Sequence, residues 1–166
     1  MRTLYRSCAK WAARAGRLPY PVFTPDSLDR DHIRAVHTLI VDTEGRPPLE
    51  DLLSLTRSST LTLIPCGTSG LELDATSALW KQLEQAGAAL ERVRVVITKV
   101  PPVGAVGKAA SAALSRVGVK VCESLIRHYS AHQRAAELGV LVRDVSDPRA
   151  AQAWGDVLRL TEEITG

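Results

Sequence analysis

His37-Thr38-Leu39-Ile40-Val41-Asp42-Thr43-Glu44-Gly45 is the stretch on which the fold turns. An unbroken run of Leu and β-branched residues that stops at an acid and a glycine predicts a buried strand of a parallel sheet. Such a strand would deliver the Asp42 carboxylate to the C-terminal edge of the sheet, where open α/β sheets bind their ligands. Downstream, the periodicity predicts a helix over 49–56, a strand over 60–66, a helix over 72–86 ended by Gly87, and a strand over 92–100. A helix over 108–117, a strand over 120–125, a helix over 132–138 stopped by Gly139, an extended piece over 140–143 and a last helix over 148–164 follow. Upstream, Leu4, Cys8, Trp11, Ala12 and Ala15 share one helical face, basic residues at 2, 6, 10 and 14 another, and Gly16 is the expected stop. A short strand over 20–24 and a brief helix to about Val36, capped by Asp26, Ser27 or Asp29, complete the order. Strands alternating with helices predict an α/β fold: an open, mostly parallel sheet with helices on both faces, in a single domain spanning 1–166.

Composition agrees with one globular domain, at 166 residues with 45% apolar and 23% charged residues. Its apolar runs are too short to cross a bilayer, which excludes a transmembrane segment. Cys8, Cys66 and Cys122 are odd in number, widely spaced and unclustered with the four histidines, so neither a disulfide framework nor a zinc site is expected. Free thiols of this kind suit a reducing cytoplasm. The net charge of +3 permits weak, non-specific contact with DNA phosphates without demanding it. The basic, acid-free start looks superficially like a transit peptide but lacks its serine enrichment.

Three segments bear on chemistry. The run ending Asp42-Thr43-Glu44-Gly45 has the form of a Walker B element: phosphoryl transfer needs a carboxylate near Mg²⁺ on a rigid strand, and a glycine that lets backbone approach the phosphate. An ordinary strand-end Asp capping the next helix is the alternative. Gly104-Ala105-Val106-Gly107-Lys108-Ala109 imitates a phosphate-binding loop but fails at two places. Its first glycine would fall on Pro102, and Ala109 stands where a Ser or Thr hydroxyl must ligate Mg²⁺. It reads instead as a helix start. Val95-Val96-Ile97-Thr98-Lys99-Val100-Pro101 ends where a GTPase would place an Asp on guanine; Pro101 removes that contact, whereas Thr98 beside an adenine survives. No GxGxxG and no nucleophile–base pair stands out for an unrelated α/β enzyme.

Taken in order, these pieces resemble the ParA/MinD-type partition ATPases of the P-loop NTPase superfamily. Residues 37–45 are similar to their YDhhhhDTxG strand, residues 59–70 to their hhhP strand and loop, and residues 93–101 to hhhhNxhxP. Glu123-Ser124-Leu125-Ile126-Arg127 opens a segment similar to ETxIRxxxAxxxAxxxG, residues 147–164 are similar to the final helix, and residues 7–22 to SAxxWAxxxxxLPFPV of plasmid-type members. The resemblance implies ATP and Mg²⁺ as cofactors, with Asp42 as catalytic and metal-organising carboxylate. It puts Thr43 and Gly45 at the γ-phosphate, Thr98 beside the base and Arg127 near the base's far edge. It also implies DNA-phosphate contacts from Arg116, Lys120 and Arg134, for which a solvated face is the plain alternative. There are departures: Thr98 replaces the usual Asn, Glu44 and Arg46 replace the usual prolines or glycine, and KGGxGKTT with its D-x-D strand would precede Met1. The implied function is therefore a ParA-like partition protein, N-terminally truncated, related to plasmid or chromosome segregation and unable to hydrolyse ATP alone. The alternative is a non-enzymatic adaptor for an intact ParA-like or ParB-like partner or for DNA. Two missing strands would leave an open apolar sheet edge, and hence a marginal monomer or a partner that fills the gap.

Overall fold

A computed structural model describes residues 7–15, 18–43, 45 and 47–166. Leu4, Arg2, Arg6, Gly16, Glu44 and Arg46, all used in the sequence reading, lie outside the described residues. The fold is α/β, with three parallel strands, β1 (Thr62–Cys66), β2 (Val93–Val100) and β3 (Val121–Arg127), in the order β1-β2-β3. Helices α4 (Gly70–Gln85) and α5 (Val106–Arg116) connect them. β2 is central; Val93, Val95 and Ile97 on one face and Val96 on the other are buried, as a strand covered on both sides requires. Trp80 and Leu114 bring α4 and α5 onto the face formed by Val95, Ile97, Val121 and Leu125. Each fully buried aliphatic side chain here contributes about 1.5–3 kcal/mol of transfer free energy.

The other face and the outer edge of β3 are held by α7 (Ala150–Thr165). Glu163 accepts from the backbone N–H of Glu123 (2.7 Å) and Ser124 (2.8 Å), and Asp156 accepts from that of Arg127 (3.0 Å). The two carboxylates, seven residues apart and so on one helical face, satisfy edge donors that would otherwise stay open. A second cluster joins α7 to α6 (Ser130–Leu138), with Tyr129, Ala131, Ala135, Val142, Val145, Ala150 and Ala153 buried. α6 ends at Gly139, whose φ of +67° makes the left-handed cap that glycine adopts without strain. α1 (Ser7–Ala15) docks on that end: Trp11 donates to the Ala135 carbonyl (3.1 Å) and Arg14 to that of Ala136 (2.9 Å), a cation at the negative end of a helix.

α2 (Arg30–Arg34) starts at Asp29, whose carboxylate accepts from Asp31 and His32 N–H, one of the three caps expected. α3 (Leu49–Ser58) precedes β1.

The principal correction concerns residues 37–43. They form no strand of the sheet, and among the described residues none of them makes a backbone hydrogen bond. Leu39 is 46%, Ile40 87% and Val41 61% exposed. Strand propensity is realised only beside a neighbouring strand, and this run has none in the described structure. The expected strand over 20–24 is also absent, and residues 142–144 make a 3₁₀ turn rather than an extended piece. No helix among the described residues is long and apolar enough to cross a membrane.

Candidate functional site

The C-terminal edge of the sheet is formed by the ends of β1, β2 and β3. At the end of β1, Cys66 is buried and its thiol accepts from Thr76 Oγ1 (3.1 Å). Burial pushes the Cys66 thiol above its ordinary range. Thr98, on β2, donates from Oγ1 to the Cys66 carbonyl (3.3 Å), so its hydroxyl bridges two strand ends. Gly67 follows, and a Cβ there would lie 2.2 Å from Glu72 Oε1, so a larger residue would displace the Glu72 carboxylate. Glu72 and Ser69 form a reciprocal capping box at the start of α4. Hydrogen bonds from Ser69, helped by the Lys99 cation, hold the Glu72 carboxyl below its usual range.

Lys99 has φ +54°, the one non-glycine among the described residues in the left-handed region. It sits where the β2–β3 register breaks between Ile97 and Val100. Such a backbone costs of the order of 1 kcal/mol and turns the chain out of the strand at the binding edge.

At the end of β3, Arg127 gives its guanidinium to Asp156, through Nε (2.9 Å) and Nη2 (2.6 Å), and lies 5.3 Å over the Tyr129 ring. Arg159 also reaches Asp156 Oδ1. Burial alone would raise the Asp156 carboxyl, but these partners outweigh it and hold it below the usual range. Arg127 therefore fastens β3 to α7 rather than presenting a free cation.

Between β3, the start of α5 and α7 opens a cleft of about 680 Å³, lined by Pro101, Gly104, Lys108, Arg127, Arg159 and Glu162 among others. Gly104 has φ +101° and Lys108 faces this cleft. Gly107 has a packing role: a Cβ would lie 2.6 Å from Val100 Cγ1 and 3.0 Å from Leu125 Cδ1. The glycine that imitates a phosphate loop is thus the one that seats α5 on the sheet.

Of the expected site residues, Thr98 and Arg127 stand at this edge. Asp42, Thr43 and Gly45 lie in exposed chain outside the sheet, and Gly45 has nothing within 4 Å of the Cβ it lacks. Asp42 accepts instead from Cys8 Sγ of α1 (3.1 Å). Burial and the Asp42 charge together push the Cys8 thiol up to about 11. Cys122, buried and beside Glu163, is likewise pushed up to about 11. Three thiols displaced upward stay protonated near neutral pH, which argues against a cysteine nucleophile. Among the described residues no three metal-ligating side chains cluster. Asp42 offers a single exposed carboxylate with the Cys8 thiol on it, where Mg²⁺ takes six oxygen ligands, and no step through that ion is derived. Arg116 and Lys120 are exposed, as a solvated face or a phosphate contact both allow, whereas Arg134 pairs with Asp147 (3.6 Å).

Sequence reasoning missed Asp156 and Glu163. A signal was present, since both are acids seven apart and so share one face of the helix. No protein-family model matches the chain and no curated protein matches it.

Proposed function

We propose that these residues are part of a ParA/MinD-type partition protein of the cytoplasm, acting in plasmid or chromosome segregation and not hydrolysing ATP unaided. The observation that carries the reading is the Leu39-Ile40-Val41 run: a strand-type segment, ending at Asp42-Thr43, left exposed beside a parallel sheet. A segment of this kind suits a parallel sheet, and among the described residues it has no neighbouring strand. Within residues 1–166 the single Gly-Lys pair, Gly107-Lys108, precedes Ala109, and Gly107 is committed to packing. The triphosphate is held mainly by backbone amides and a lysine of a phosphate loop, so ATP affinity is low without one.

The same exposed run favours a second reading, an adaptor that meets an intact ParA-like or ParB-like protein, with any DNA contact weak and non-specific.

One experiment separates them. The chain is co-expressed either with the N-terminal phosphate-loop segment of a ParA-type ATPase or with an intact one. Co-purification with the segment, with Mg-ATP binding that Asp42→Ala abolishes, supports the first reading. Co-elution with the intact ATPase alone supports the second. A folded chain that associates with neither overturns both.

A further inference from the structure

The two edges of the sheet are treated differently. The outer edge of β3 has its donors taken by Glu163 and Asp156, whereas β1 is an edge strand that pairs with β2 alone among the described residues. Open edges of this kind recruit strands. The same molecule holds an exposed, β-branched run with no backbone hydrogen bonds among the described residues. We propose that residues 38–42 are a strap that closes onto the free edge of β1 as a fourth parallel strand, in exchange with the described position.

The connection has the right dimensions. A parallel crossover must return the chain by one strand length, and five residues of strand span about 17 Å. The ten residues of α3, which lie between the run and β1, span about 15 Å. Residues 43–61 exceed the dozen or so that a parallel crossover needs. A right-handed crossover puts α3 on the face that already carries α4 and α5. There it would bury an apolar side now largely half-exposed, in which Thr56 is the one buried residue. Pro65 has no N–H, so the new ladder rests on the carbonyl at that position.

The described position has its own latch. Cys8 Sγ donates to Asp42, and α1 is anchored on α6 by Trp11 and Arg14. Closure would break that contact and bring Asp42 about 5 Å, one strand spacing, from the Cys66–Gly67 strand end, and about 10 Å, two spacings, from Thr98 on β2. The strap thus decides whether Asp42 stands at the C-terminal edge of the sheet. The inference needs no nucleotide and stands or falls separately from the partition reading.

Amide hydrogen exchange on the full chain tests it, with wild type, Cys8→Ala, and Cys8→Ala/Ile40→Pro at two protein concentrations. Residue 40 is exposed, so proline there leaves the described fold intact while removing a donor from the strap. Releasing the latch is expected to slow exchange of alternate amides within residues 39–42 at least roughly tenfold below unstructured rates, equally at both concentrations, with the effect lost in the proline variant. Exchange at unstructured rates in every variant overturns the proposal. So does protection that grows with concentration, which signals contact between copies, or protection that survives the proline.

Discussion

Truncating Asp156 to alanine probes the joint between β3 and α7. The Asp156 side chain is 0% exposed and holds both the Arg127 backbone N–H and its guanidinium. Losing the partner of a buried N–H costs about 1–3 kcal/mol. Breaking a fully buried ion pair costs about 3–5 kcal/mol, but Arg127 is 32% and Arg159 56% exposed and both regain water. The sum is therefore discounted to about 2–4 kcal/mol, which at a slope of about 2 kcal/mol/M lowers the urea midpoint by about 1–2 M. pH gives an independent check. The folded carboxyl lies below its ordinary value of 3.8, so its stabilisation is present above that value and is lost as pH falls through the lower folded value. Wild type should lose stability below about pH 4 more steeply than Asp156→Asn. Urea melts at pH 7 and across the acid range measure both. A loss under about 0.5 kcal/mol for Asp156→Ala would refute the claim that this carboxylate joins β3 to α7.

Gly107→Ala should destabilise by about 1–3 kcal/mol through contact with Val100 and Leu125, read as a fall in thermal midpoint. Leu114→Ala, at a position 1% exposed, should cost about 2–5 kcal/mol in chemical denaturation. Glu163→Ala should leave the fold in place but speed exchange of the Glu123 and Ser124 amides by roughly tenfold, with unchanged rates counting against its edge-capping role. In native protein, Cys8 is the exposed thiol and should take a thiol reagent before Cys66 and Cys122. Asp42→Asn should accelerate that labelling a few-fold near pH 8 by removing one of the influences that hold the thiol protonated.

What could be read from the sequence is what local patterns encode. The expected strand over 92–100 is β2 at Val93–Val100, the Gly139 stop is a left-handed cap, and the last helix runs Ala150–Thr165. Each is decided by apolar period and capping within a few residues. Residues 37–45 show the limit. The run has strand chemistry, but a strand is a non-local object that needs a neighbour, and the described structure supplies none. The pairing of Arg127 was illegible for the same reason. Its partner Asp156 is 29 residues away, and no local pattern joins them. Gly107 looked like a loop signal because its real constraint, the approach to Val100 and Leu125, exists only after folding.

Calorimetry of Mg-ATP against these 166 residues, with Asp42→Ala alongside, tests the proposed ParA-type reading most directly. The account predicts no detectable binding for either protein. Micromolar binding that Asp42→Ala abolishes would contradict it, and would mean that Asp42 meets a phosphate cradle within these residues.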